Sequence, residues 1–177
     1  MFVHYDPENR RRSRGPDFFL VLNVEDRERR SWVVWFEGMR FPDVIIELLS
    51  DSTRSEDEGP KKQLYAELFR TPEYYLYDPY SQAFTGYQLH GSHYVKMERD
   101  AEGRMYSEVT GLYLGVRDSW LRWLTLEGEV VASPSERAEQ EHQRAEQAEQ
   151  LAQDERQRAE QAEAMLEAYR RRFGSLE

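Results

Sequence analysis

FPDVIIELLSDSTRSEDEGPKKQLYAELFRTPEYYLYDP, residues 41–79, reads in order as a strand, a polar turn, a helix and a second strand. Val44-Ile45-Ile46 and Leu48-Leu49 form a short apolar run of the kind a sheet buries on both faces. Pro60 suits the first turn of a helix, so the helix is expected to open at Gly59 or Pro60 and run to Arg70. Leu64, Tyr65 and Leu68 give it an apolar face, Pro72 ends it, and Glu73–Tyr77 is the next strand. A strand-helix-strand unit of this length makes its two strands parallel neighbours. The expected class is therefore α/β. One residue disturbs the pattern. Glu47 sits inside the apolar run, and an unpaired carboxylate in a sheet core is costly. Such a group has a base, a metal or a retained proton as its partner.

On either side of this stretch the chain is rich in short strands. FVHY near the N-terminus reads as a strand remnant, and DFFLVLNV (17–24) and SWVVWF (31–36) read as strands separated by the charged turn EDRERR. From Ala83 to Leu126 the pattern is a meander, with Trp120 and Trp123 expected to pack on the core. Composition changes at Ser133. Ser133 and Glu136 make a capping box, Pro134 takes the first helical position, and a heptad repeat follows to Gly174. Its seam is Ala138, Ala145, Ala152, Ala159, Leu166 and Phe173, joined by Glu141, Ala148, Glu155, Ala162 and Tyr169. A helix of about 39 residues would be roughly 58 Å long. The expected division is a globular domain over 1–132 and a long helix over 133–174. That helix is either a solvated rod held by Glu/Arg pairs or a weak homo-oligomer through residues 134–173.

Composition narrows the function. Of the 177 residues 33% are charged and none is cysteine, which excludes disulfides and thiolate metal sites. No apolar run approaches the roughly 20 residues of a membrane span, and the N-terminus lacks a signal-type segment, so a cytoplasmic protein is expected. A net charge of -10 argues against tight non-specific binding of nucleic acid. Arg10, Arg11, Arg12 and Arg14 form a basic run that reads as a solvated loop.

Three ionisable residues are expected to meet at the Glu47 strand: Asp17, Glu47 and a lysine from the start of the helix. If strands 17–24 and 40–48 pair antiparallel with an index sum near 64, Asp17 stands opposite Glu47. Asp43 shares the face of Glu47 but lies about 13 Å along the strand, which makes it the poorer partner. Two opposed carboxylates repel unless a cation sits between them, and hard divalent ions such as Mg²⁺ or Mn²⁺ accept one or two carboxylates and keep several waters. Lys61 and Lys62 occupy the expected first helical turn, where the macrodipole disfavours cations unless a negative cluster faces them. Thr53, Asp57, Lys61 and Tyr65 recur every four residues, and Lys61 can reach the end of the Glu47 strand. Carboxylates, a divalent metal and a lysine are the apparatus that hydrolyses a phosphodiester. The plainer structural alternative is that Glu47 bonds Lys61 or a buried tyrosine and nothing more.

The run PDVIIELLSDST, the spaced Asp57, Lys61 and Tyr65, and TPEYYLYDP resemble the Uma-two family of restriction-endonuclease-like proteins over about residues 2–128. The resemblance implies a PD-(D/E)xK nuclease fold, a mixed sheet flanked by helices, in which Asp17 matches the family's aspartate and Glu47 its glutamate. The lysine usual two residues after the glutamate is Leu49 here, and the resemblance implies that Lys61 supplies it from the helix. There are three departures. Only 16 residues precede Asp17 where relatives carry a helix and a further strand, Asp51 stands where proline is usual, and Pro60 lies beside the lysine. The resemblance thus implies a Mg²⁺- or Mn²⁺-dependent endonuclease acting on DNA, with Asp17 and Glu47 as metal ligands and Lys61 as the catalytic lysine. The alternative is an inactive nuclease-fold module that works through its heptad tail.

Overall fold

The computed structural model describes residues 1–9 and 11–174; Arg10 of the basic run and the Phe173 side chain at the end of the heptad seam lie outside the described residues. The chain divides into two compact units, Met1–Val131 and Ala132–Glu177.

At the centre of the first unit is a five-stranded mixed sheet in the order β3-β5-β6-β7-β8, formed by β3 (Phe18–Leu20), β5 (Val44–Leu48), β6 (Glu73–Tyr77), β7 (Phe84–His90) and β8 (His93–Lys96). β5 and β6 are parallel, as the strand-helix-strand unit requires, and the other pairings in this sheet are antiparallel. Alternation along β5 and β6 sends side chains to two separate cores. On one face Ile45, Tyr74 and Leu76 pack with Tyr65 and Phe69 of the connecting helix and with Val3, Trp32 and Val34. Val3 and Trp32 belong to a small sheet in the order β2-β1-β4, made of β1 (Val3–His4), β2 (Ser13–Arg14) and β4 (Trp32–Val33). On the other face Val44, Ile46, Tyr75, Tyr77 and Phe84 meet Met105 and Leu114. Those two come from an antiparallel sheet of β9 (Met105–Ser107), β10 (Leu112–Arg117) and β11 (Trp120–Leu124). Among the described residues the unit is thus three β-layers with one helix, an α+β arrangement consistent with the expected restriction-endonuclease-like fold.

Several expectations shift. The strand expected over 17–24 spans three residues, Phe18–Leu20; beyond it the Leu22 amide donates to the Asp43 carboxylate rather than to a strand, and Asn23 takes a left-handed conformation. The 31–36 piece pairs with β1 for two residues and then turns, with Gly38 and Met39 both at positive φ. The expected single meander is divided between the central sheet and the separate β9–β11 layer. Trp123 packs on the second core, but Trp120, next to the hairpin tip at Asp118 and Ser119, is 72% exposed. The helix does not open at Pro60. It is continuous over 54–69, alternating α and π segments, with Pro60 inside the π segment Asp57–Lys61. Proline has no N–H and its ring crowds the carbonyl one turn earlier, and a wider π turn relieves both demands. Arg70, left-handed, closes the helix.

The second unit is the helix Pro134–Phe173, 40 residues long. The capping box is complete: the Ser133 hydroxyl accepts from the Glu136 amide at 3.2 Å, and the Glu136 carboxylate accepts from the Ser133 amide at 2.7 Å. Leu151, Met165, Leu166 and Tyr169 are exposed along it. No helix among the described residues is long and apolar enough to cross a membrane.

Candidate active site

β3 and β5 pair with Phe18 opposite Ile46, Phe19 opposite Ile45 and Leu20 opposite Val44, an index sum of 64. That register brings Asp17 to the end of β5. The Leu48 amide donates to Asp17 Oδ2 at 2.7 Å, and the Asp17 amide donates to Glu47 Oε2 at 3.3 Å. Each carboxylate is thereby fixed by backbone from the opposite strand. Their surroundings differ, because Asp17 is exposed and Glu47 is 1% exposed. Asp43 stands apart, accepting from the Leu22 amide and lying 3.6 Å from Arg40.

The helix brings the other groups from above the same face. Tyr65 donates its hydroxyl to Glu47 Oε1 at 2.9 Å, and Lys61 Nζ lies 3.3 Å from the same oxygen. Both partners that the sequence offers Glu47 are therefore bonded to it. Lys61 also meets a second acid, since its ammonium lies 2.7 Å from Asp57 Oδ1. Asp57 is 1% exposed, and Tyr74 donates its hydroxyl to the Asp57 carbonyl at 2.8 Å. Asp57 was legible only as one member of the four-residue spacing. Reading Pro60 as the helix start placed it outside the helix, whereas the π segment carries it onto Lys61.

Burial pushes the Glu47 carboxyl up to about 7, against the pull of the Lys61 charge and the Tyr65 hydrogen bond, and the Asp57 charge adds to the rise. Burial drives the Lys61 ammonium down, but Asp57 and Glu47 together hold it above its ordinary value. Burial and the neighbouring Glu47 charge keep Tyr65 well above the ordinary tyrosine range, so it stays a donor. The cluster is an acid poised near neutrality beside a firmly protonated lysine, a pattern typical of acid-base and metal chemistry.

Asp17 and Glu47 bring hard oxygens, one wet and one buried, to the same end of β5, and such oxygens are the donor type taken by a divalent cation that keeps most of its waters. Among the described residues no group of three or more His, Cys, Asp or Glu is arranged to hold a metal, so an ion here would rest on these two carboxylates and water. Beside Asp17 lies an open cleft of about 350 Å³ whose lining includes Pro16, Phe18, Phe19, Arg27 and Trp32.

Among known families, the model described as "Uma2: Putative restriction endonuclease" matches residues 3–127. No curated protein matches the chain.

Proposed function

The chain belongs to the Uma2 family, and on that premise we propose that it is a metal-dependent endonuclease hydrolysing DNA phosphodiester bonds. Asp17 and Glu47 are the metal ligands and Lys61 is the catalytic lysine. The observation that carries the reading is the convergence of two carboxylates from opposite strands with a lysine from the helix on one oxygen-rich corner. A bound Mg²⁺ or Mn²⁺ would supply Lewis acidity and a water of lowered pKa. The chain's own groups do the rest. Tyr65 fixes the rotamer of Glu47 through its 2.9 Å bond, so the buried carboxylate keeps one oxygen toward Asp17. Lys61 is protonated, and its role is to steady the anionic oxygen of the scissile phosphate as charge builds on it. Asp57 holds the ammonium independently of Glu47.

The test is cleavage of supercoiled plasmid by the full chain. Nicking or cutting should require Mg²⁺ or Mn²⁺ and stop in EDTA. Glu47→Gln and Lys61→Ala should each lower the rate at least 100-fold while circular dichroism stays unchanged, as for removal of an electrostatic stabiliser. If Glu47→Gln cleaves as fast as the parent, the activity belongs to a contaminant. The reading of an inactive nuclease fold that acts through its tail then replaces this one.

A further inference from the structure

Arg14 ends β2, opposite Val3, and lies three residues before Asp17. It is half-buried rather than solvated, unlike Arg11 and Arg12 of the same run, which are exposed. Arg12 pairs with Asp6 at 3.4 Å. Arg14 has no carboxylate partner within ion-pair distance among the described residues. Its Nη1 donates only to the neighbouring Ser13 carbonyl at 3.3 Å, and its Nε is buried with no hydrogen-bond partner. The other arginines at comparable depth are provided for. Arg29 pairs with Glu37 at 3.0 Å, and Arg104 with Asp100 at 2.8 Å and Glu102 at 3.0 Å. A buried donor without an acceptor costs stability, and such exceptions call for an explanation.

A phosphate cannot reach the buried Nε, but the outer guanidinium nitrogens, engaged only by the Ser13 carbonyl, can take one, and the location favours it. The Arg14 and Asp17 α-carbons are at most about 11 Å apart by chain reach. The link between them is confined, because Pro16 is buried and Gly15 lies against the Phe2 ring, where an added Cβ would stand 3.0 Å from it. Val3, opposite Arg14, shares a core with Tyr65, and the Arg14 charge is felt at the Tyr65 hydroxyl that bonds Glu47. Arg14 is thus on the Glu47 side of the sheet. Asp17, Glu47 and Asp57 outnumber Lys61, and such a corner repels an anion unless further positive charge is at hand. A guanidinium with uncommitted donors is the group best shaped to hold a phosphate.

We infer that Arg14 is an anion-binding residue that holds a phosphate group beside the Asp17–Glu47–Lys61 cluster. That the phosphate belongs to a nucleic-acid backbone rests on the nuclease reading above. The anion site itself does not.

Arg14→Met in the full chain keeps the length of the side chain and removes the donors, so a purely structural arginine and a ligand-binding one respond in opposite ways. The Met variant should melt at a higher temperature than the parent in phosphate-free buffer, because the unsatisfied Nε is gone. Adding inorganic phosphate should raise the melting temperature of the parent more than that of the variant; the general stabilisation by a kosmotropic anion is common to both and cancels. In EDTA, binding of a labelled DNA oligonucleotide should weaken roughly ten- to hundredfold in the variant. Its log-affinity against log-salt slope should shrink by about 0.9 for one lost phosphate contact. Equal phosphate responses in parent and variant, or a lower melting point with unchanged DNA binding, would overturn the inference and leave the nuclease reading intact. A phosphate response lost in the variant, from a parent that binds no DNA, upholds the anion site and removes DNA as its ligand.

Discussion

A carboxylate 1% exposed between a tyrosine hydroxyl and an ammonium ties folding stability to pH in the range where cells operate. Glu47 rises from the ordinary 4.5 to about 7 on folding, so between these values the folded chain binds a proton that the unfolded chain does not. Its contribution is complete below pH 4.5 and is lost as pH climbs through 7, a span of about 3 kcal/mol. Asp78 and Asp100 are lowered instead, so the stability they add is lost only in more acidic solution. Urea unfolding of the metal-free protein should therefore give a higher midpoint at pH 5 than at pH 8. Glu47→Gln should flatten that difference, and an unchanged pH dependence in this variant would place the titrating group elsewhere. Glu47 was legible because an acid inside VIIELL has nowhere to go but a built environment. Arg14 was not, since nothing in RRRSR marks which arginine turns inward. That choice is made by Val3, 11 residues away, which pairs with it.

Elements were legible where periodicity and local chemistry agree, and illegible where contacts between layers decide. The 64 register followed from opposing two apolar strands, and the parallel β5–β6 pair followed from the helix between them. Pro60 misled because the rule placing proline in a first turn assumes α geometry, and the helix absorbs it in a π turn. The packing of β9–β11 on the central sheet left no local trace, yet one glycine depends on it. A Cβ on Gly86 of β7 would lie 2.6 Å from Met105 Sδ and 2.8 Å from the Tyr75 ring, so the two layers meet where a side chain is missing. Gly86→Ala should destabilise the domain by about 1–3 kcal/mol through overpacking. In urea titrations that loss should appear as a lower midpoint with an unchanged slope; a change below 0.5 kcal/mol, the size of a surface substitution, would mean that the layers separate easily there.

For the whole molecule the open question is what the C-terminal helix contributes, since its heptads offer a seam and its charges oppose it. From Pro134 onward the chain carries eleven acids and seven arginines, a net charge of -4. Aligned copies therefore repel along most of their length. The seam is mostly alanine over four heptads, interrupted by Glu141 and Glu155, and turns to larger apolar groups at Leu166 and Tyr169, 49% and 47% exposed. Alanine at seam positions buries little area, so cohesion can come only from the last two turns. The isolated helix does not need a partner. Its stability comes from the capping box, from alanine propensity and from i,i+4 contacts such as Gln143–Glu139, Gln150–Asp154 and Arg171–Glu167. Full-length protein should accordingly sediment as a monomer at micromolar concentration and self-associate weakly at higher concentration. Salt should strengthen the association by screening the acidic flanks, whereas an oligomer held by ion pairs would weaken. Leu166→Glu should abolish it. A chain ending at Val131 should keep cooperative unfolding and, on the nuclease reading, metal-dependent cleavage, because Asp17, Glu47 and Lys61 all lie within Met1–Val131. A tight oligomer at micromolar concentration would show that the alanine seam packs far better than its area allows. Loss of folding on truncation would make the helix part of the domain's own core.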